Sequence, residues 1–444
     1  MAHNVFRAKQ YSSSSSRDKS LFGAAIVAIL LVCAIWSFTD PLPNLSSLLY
    51  NQNISAPEYC PPGREAVDRS YDPPEKTFYD DPELSYTIDK PIKNWDEKRM
   101  QWLMLHPSFA AGRANRVLLL TGSQPTPCKN PKGDHLLLRF FTNKVDYCRI
   151  HGYDIFYVNT FFHPKMRSYW AKIPIVRAAM LAHPESEWVL WIDSDAIFTD
   201  MDFKIPLHKY NDYNFIVHGW PDLIFKKKSW VAINAGIFLI RNCQWSMDFL
   251  DVWANMGPKS PEYKQWGKIL RTTFTDKPFP ESDDQSALSY LILKGEHKWR
   301  RKIHAITDYS LHGYWLGVVN KFDKITENYT KIERDVPKLR RRHAEAVSES
   351  YAAAWEPLVA EVGDVRGGWR RPFITHFTGC QPCSGDHAAE YVGDSCWVGM
   401  EKALNFADNQ VLRNFGFMHD DIKSNSPVSP VNFDFPAEEV EEFV

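Results

Sequence analysis

Asp193-Ser194-Asp195 directly follows WVLWI (188–192), an almost wholly apolar run of the kind found in a strand buried on both faces. In a parallel α/β sheet, ligands gather at the carboxyl ends of such strands. Alternate residues of an extended chain share one side, so Asp193 and Asp195 can together hold Mg²⁺ or Mn²⁺, and that cation can bridge a diphosphate. The competing reading is a turn closed by Asx hydrogen bonds.

Two further segments offer chemistry. Ser282-Asp283-Asp284-Gln285-Ser286 sets two carboxylates and an amide before the apolar ALSYLIL. The same letters also read as a capping box, Ser282 with Gln285, at a helix start. PFITHFTGCQPC (372–383) sets His376 after a short β-like run and before Cys380 and Cys383. A cross-linked loop could present this imidazole to a metal, although a lone histidine is more often structural. No second C-x-x-C or histidine pair stands at zinc-finger spacing, so structural disulfides are expected rather than zinc.

These residues need a scaffold, and the patterning supplies one. RVLLLTGS (116–123) and YDIFYVN (153–159) are strand-like and flank a charged amphipathic stretch. WAKIPIVRAAMLAHP (170–184) has helical spacing and leads into WVLWI. This βαβαβ alternation predicts a mostly parallel central sheet flanked by helices. YNFIVHGW and INAGIFLIRN read as further strands, WSMDFLDVWANM as a helix. A charged, mostly helical surface stretch is expected beyond Pro337.

The 444 residues carry 52 Lys+Arg against 54 Asp+Glu, a net charge of −2 that gives no footprint for nucleic acid. With 44% hydrophobic and 24% charged residues, whole-chain disorder, collagen and a multi-span membrane protein are excluded. Aromatics, at 14%, suit the apolar faces of sugars and also large cores.

LFGAAIVAILLVCAIWSF (21–38) is uncharged and just long enough to span a bilayer. Arg7, Lys9, Arg17 and Lys19 precede it, and no Lys or Arg follows until Arg64, which keeps the N-terminus cytosolic. A type II signal anchor is expected. A cleaved signal peptide fits less well, because no small-x-small site follows. The expected layout is a cytosolic tail 1–20, anchor 21–38, lumenal stem 39–107, catalytic domain 108–420 and loose acidic tail 421–444. Cys60, Cys128, Cys148, Cys243, Cys380, Cys383 and Cys396 would be lumenal, an odd count whose pairing stays open. Sequons stand at Asn44, Asn53 and Asn328.

WVLWIDSDAIFTDM, INAGIFLIRNCQWSMDFLDVW, SDDQSALSYLI, HGYW and HFTGCQPCSGD, with CWVGMEKALNFADNQVLRNFGF, resemble in colinear order a plant glycosyltransferase family. That family holds galactomannan galactosyltransferases and xyloglucan xylosyltransferases. The resemblance implies a GT-A fold, the Golgi membrane, a UDP-sugar donor, Mn²⁺, and transfer with retained α-configuration to O6 of a β-1,4-linked backbone. It implies that Asp193, Asp195 and His376 hold the metal and that Ser194 lies against the nucleotide. Thr121, Gly122 and Ser123 match its uridine-binding strand end, Asn234 its sugar site, and Asp283, Asp284 and Gln285 the segment at the reacting carbon. Asp284 is expected nearest that carbon.

The xylosyl branch has Lys near the diphosphate where this chain has Gln381, which can donate a hydrogen bond but not a charge. HFTGCQPC and LNFADNQVLR are similar to the galactosyl branch. UDP-galactose and a β-1,4-mannan acceptor are therefore expected. The alternatives are UDP-xylose transfer to β-1,4-glucan and a catalytically weak scaffold in a polysaccharide synthase complex. Homo- or hetero-oligomers with other wall-polysaccharide synthases are a further expectation. Retention leaves double displacement and same-face attack both open.

Overall fold

The computed structural model describes residues 84–335, 370–423 and 425–430. The anchor, the cytosolic tail, Asn44, Asn53, Cys60 and the stretch beyond Pro337 lie outside them. Among the described residues, no helix is long and apolar enough to cross a membrane.

The strands are β1 (Val117–Gly122), β2 (Asp154–Val158), β3 (Trp188–Ile192), β4 (Ala196–Phe198), β5 (Phe215–Gly219), β6 (Ile233–Arg241), β7 (Ile303–Ile306), β8 (Gly313–Tyr314) and β9 (Ile374–His376). The principal helices are α1 (Trp95–Leu105), α2 (Pro131–His151), α3 (Lys172–Ala182), α4 (Gln244–Ala254), α5 (Tyr263–Thr273), α6 (Asp284–Lys294), α7 (Phe322–Asp335) and α8 (Ser395–Leu412).

The main sheet has the order β2-β1-β3-β6-β5-β7. β1 pairs in parallel with β2 and β3, and β5 with β7, whereas β6 runs antiparallel to both β3 and β5. The sheet is thus mixed where the alternation predicts a mostly parallel one. The reason lies in residues 220–232, which join β5 to β6 without a crossover helix, so that β6 returns alongside β5. Every residue of β3 is buried. Val189 and Trp191 pack into one core, and Trp188, Leu190 and Ile192 into the core on the other face, as the period of two requires.

A small sheet, β4-β9-β8, begins just past the end of β3. It sets Ala196 opposite His376, and Tyr314 opposite the same histidine. α2 backs this region. Asn130 caps it by accepting from the Lys132 N–H at 2.9 Å, and Gly152 ends it at φ 68°, where a side chain would be strained. Cys380 and Cys383 take different partners, Cys396 and Cys128 respectively, which bears out disulfides over zinc. Cys148 and Cys243 are free.

Two expected boundaries move. Ile88, Ile92 and Trp95 are buried in the main core, and the Trp95 indole donates to Asn242 Oδ1 at 2.7 Å. Arg177 donates to the Ser85 and Thr87 carbonyls, each at 2.8 Å. The segment from 84 to 107, read as the end of a Pro-, Ser-, Asn- and Asp-rich stem, is therefore part of the folded body. At the other end, Val428–Pro430 pairs with Phe417–His419, so strand pairing continues past residue 420.

Candidate active site

Beyond Ile192 the chain turns at once. Asp193 N–H donates to the Gly236 carbonyl at 2.9 Å, and Ala196 N–H returns to the Asp193 carbonyl at 3.2 Å. D-S-D is thus a turn, closed by a backbone bond rather than an Asx bond, and the turn makes both carboxylates converge into a candidate cation site. One ligand atom each from Asp193, Asp195 and His376 lies within 4.8 Å of the others. His376 Nε2 stands 3.2 Å from Asp195 Oδ1, held there by the β4–β9 pairing. Two carboxylates and one imidazole suit a hard or borderline divalent cation such as Mn²⁺ or Mg²⁺.

Gly236 fits the backbone against this cluster. A Cβ there would lie 2.4 Å from His376 Cε1 and 2.7 Å from Asp193 Oδ2. Any side chain there would push His376 or Asp193 aside.

Lys172, at the start of α3, sits in the floor of the site with its side chain only 4% exposed. Its ammonium lies 3.1 Å from Asp193 Oδ1 and 2.9 Å from Asp284 Oδ2, and it donates to the Ala235 carbonyl at 3.0 Å. Burial works against its charge, but the two carboxylates outweigh that and hold its pKa above the ordinary lysine range. Burial pushes the Asp284 carboxyl up to about 6 against the pull of Lys172. Trp191 donates its indole N–H to Asp193 Oδ1 at 2.6 Å. Behind the turn, Lys144 donates to the Ala196 carbonyl at 2.7 Å, and burial brings it down to about 7 although Asp195 and Asp193 oppose this.

The S-D-D-Q-S segment does start a helix, but with a different cap from the one expected. The helix cap is Asp283, which accepts from the Ser286 N–H at 2.8 Å, while Ser282 Oγ donates to the Met256 carbonyl. Asp283 also takes the Ser286 hydroxyl and pairs with Lys277 at 2.8 Å. It is the buried cap of α6, and both its oxygens are engaged at the start of that helix. Gln285 does not complete a capping box. Its amide donates to the Trp230 carbonyl at 3.1 Å and accepts from the Ala235 N–H at 3.3 Å, which ties the neighbouring loop to β6. Asp284 alone of the three meets the metal-side cluster, through Lys172.

The other expected residues fall as follows. Thr121 is buried at the end of β1 with its hydroxyl unpartnered. Gly122 packs so closely on β2 that a Cβ would meet the Val158 carbonyl oxygen at 2.2 Å, and Ser123 Oγ accepts from the Tyr157 hydroxyl at 2.6 Å. Ser194 is half-buried within the D-S-D turn. Asn234 Oδ1 accepts from the Gly236 N–H at 3.0 Å. Gln381 is exposed on the disulfide-bonded loop, and Asn328 is half-buried on α7. Sequence reasoning did not single out Lys172 or His312, whose Nδ1 lies 3.1 Å from that of His376. A lysine inside the apolar run WAKIPIV and a histidine inside the quoted HGYW were the available signals.

Residues 113–387 match the model of the galactosyl transferase GMA12/MNN10 family. "Galactomannan galactosyltransferase 1" of Cyamopsis tetragonoloba is 54% identical over 93% of this chain and 94% of its own length. "Glycosyltransferase 6" of Arabidopsis thaliana is 57% identical over 93% of this chain and 94% of its own. "Probable xyloglucan 6-xylosyltransferase 3" of Arabidopsis thaliana is 46% identical over 79% of this chain and 69% of its own.

Proposed function

The chain belongs to the galactosyl transferase GMA12/MNN10 family and is a glycosyltransferase, and from that premise we propose that it moves galactose from UDP-galactose, with retained configuration, to O6 of a β-1,4-mannan. The observation that carries the donor chemistry is the Asp193–Asp195–His376 cluster joined through Lys172 to Asp284. The choice of galactose and mannan rests on the 54% relative and on Gln381 within HFTGCQPC. The proposal includes a GT-A-type nucleotide-sugar fold and a type II anchor in the Golgi membrane at 21–38.

Asp193, Asp195 and His376 would hold Mn²⁺, which when bound supplies a Lewis acid against the charge that develops on the departing diphosphate. The chain's own residues do the remainder. Trp191 and Lys172 fix the orientation of Asp193 from two sides. Lys172 also keeps Asp284 ionised despite its burial, so that a fixed negative charge faces the positive charge developing at the anomeric carbon. Gln285 locks the β6 backbone beside Asn234, and Gly236 leaves the space that the metal ligands need.

The 46% relative favours a second reading, UDP-xylose transfer to β-1,4-glucan. The test for both is mass spectrometry of the full chain incubated with Mn²⁺, UDP-galactose and UDP-xylose together, and mannan and cellulose oligosaccharides. A hexose added to the mannan chain is expected. A pentose on the glucan chain overturns the substrate and leaves the site chemistry standing.

A further inference from the structure

His218, near the end of β5, is only 6% exposed, and neither ring nitrogen has a hydrogen-bond partner. Burial brings its pKa down to about 4, so the imidazole is neutral near pH 7, with one nitrogen a donor and the other an acceptor. Leaving a buried polar atom unpaired costs about 1–3 kcal/mol. A bound hydroxyl, able to donate or accept, would satisfy one of the two nitrogens.

The surroundings point to which molecule carries that hydroxyl. The β5–β6 register shifts between Val217 and His218, which sets His218 beside Asn234. Outward, the Trp220 ring meets the His218 ring edge-on at 4.6 Å and is 39% exposed. Inward, His218 lies 5.8 Å from the His312 ring, which in turn lies 5.1 Å from His376. A row of rings thus runs from the surface to the metal cluster, and exposed Tyr314, the register partner of His376, flanks its inner end. The charged groups of the site gather instead at Asp193, Lys172 and Asp284. A nucleoside diphosphate needs that charged end. An uncharged polysaccharide needs hydroxyl partners and an aromatic surface for the apolar faces of its sugars.

We infer that His218 and Trp220 form the subsite for the acceptor, with the imidazole hydrogen-bonded to a hydroxyl of one backbone sugar and the indole supporting its apolar face. The inference rests on the proposed function, in that the acceptor is a β-1,4-linked polysaccharide.

The test is binding of mannohexaose and cellohexaose to the full chain in detergent with Mn²⁺ and UDP present, followed by calorimetry and, for turnover, by initial rates. His218→Ala and, separately, Trp220→Ala are each expected to weaken the oligosaccharide that wild type binds at least tenfold. UDP affinity should stay within twofold, and KM for the acceptor should rise while KM for the UDP-sugar does not. Trp220→Ala removes an exposed ring, so it reports even if the histidine variant does not fold. His218→Gln, which still donates and accepts, should recover part of the loss. Unchanged oligosaccharide affinity in both alanine variants overturns the inference, as does a rise confined to the KM of the UDP-sugar. If wild type binds cellohexaose rather than mannohexaose, the mannan reading fails while the subsite is still tested on cellohexaose. If it binds neither, the polysaccharide reading and the inference fall together.

Discussion

On one side of Asp193, Lys172 reaches both Asp193 and Asp284 within 3.1 Å, and Lys172 and Asp284 are themselves buried. On the other side, Asp195 has no lysine or arginine ion pair among the described residues, and its side-chain partner is His376 at 3.2 Å. The first half of the site carries its own counter-ion. The second gathers negative charge beside an imidazole and has the donors for a cation. This difference gives the halves different failures: the compensated half should lose stability and rate together when broken, and the open half should lose rate alone.

The largest effect is expected on the open half. Chelation, or Asp195→Asn, should reduce transfer on the order of 10³-fold, equivalent to about 4 kcal/mol of transition-state stabilisation. The melting temperature without metal should move little, because no buried cation is left unpaired. A large drop in metal-free melting temperature would erase the contrast between the halves. On the compensated half, Lys172→Met should lower both rate and stability, since removing one member of a buried pair costs about 3–5 kcal/mol. Combining it with Asp284→Asn should give a smaller loss than the sum of the two single changes, by at least about 1 kcal/mol. Strict additivity in urea melts would mean that the pair is not coupled.

A smaller effect follows from the Asp284 carboxyl, which burial raises to about 6. Its ionised form is the one proposed to act, so kcat should fall as pH drops below about 6. The stability contribution has the opposite slope. A folded-state pKa raised above the unfolded value favours the protonated form, so that contribution is complete in acid and is lost as pH rises through about 6. Asp284→Asn should cut turnover, leave UDP binding nearly intact and flatten the stability slope. A stability profile with the same slope in the variant assigns the titration to another group, and full activity in it removes Asp284 from the reaction.

The same contrast explains what could be read from the chain. Asp193 and Asp195 were legible because both lie in one tripeptide after one buried strand, and β3, β5, β6 and α4 because their apolar periods are local. His376 lies 181 positions from Asp195; PFITHFTGCQPC offers its imidazole to a metal, but only the resemblance chose that reading over a structural histidine. Lys172 reaches the site by tertiary packing from the first turn of α3, and its place inside the apolar run WAKIPIV signals burial without naming the carboxylates that it meets. Asp283 and Asp284 are chemically identical neighbours, and only the start of α6 decides that the first caps and the second faces Lys172. The segment 84–107 reads as stem because it continues the Pro-, Ser-, Asn- and Asp-rich stretch that starts at 39, whereas a few buried residues such as Trp95 determine its packing.

Gln381 offers the mildest way to alter the charge around the site. It lies on a loop tied by Cys380–Cys396 and Cys128–Cys383, and its own backbone N–H and carbonyl bond to Asp386 and Gly385, each at 2.8 Å. Its side chain is exposed, so Gln381→Lys adds a positive charge without moving the backbone, and stability should stay within about 0.5 kcal/mol. If the proposed donor carries its diphosphate past this loop, the added charge should lower KM for the UDP-sugar about twofold to fivefold at low salt, and less at 0.5 M salt, as screening of an exposed charge requires. The ratio of galactose to xylose transfer should not change, because a charge acting on the phosphates is blind to the CH₂OH that separates the two sugars. A KM insensitive to both the substitution and the salt would remove this loop from the diphosphate and leave Lys172 as the cation that counts. A shift in sugar preference would mean instead that position 381 acts on the sugar, and that the division into a charged donor end and a neutral acceptor end is drawn in the wrong place.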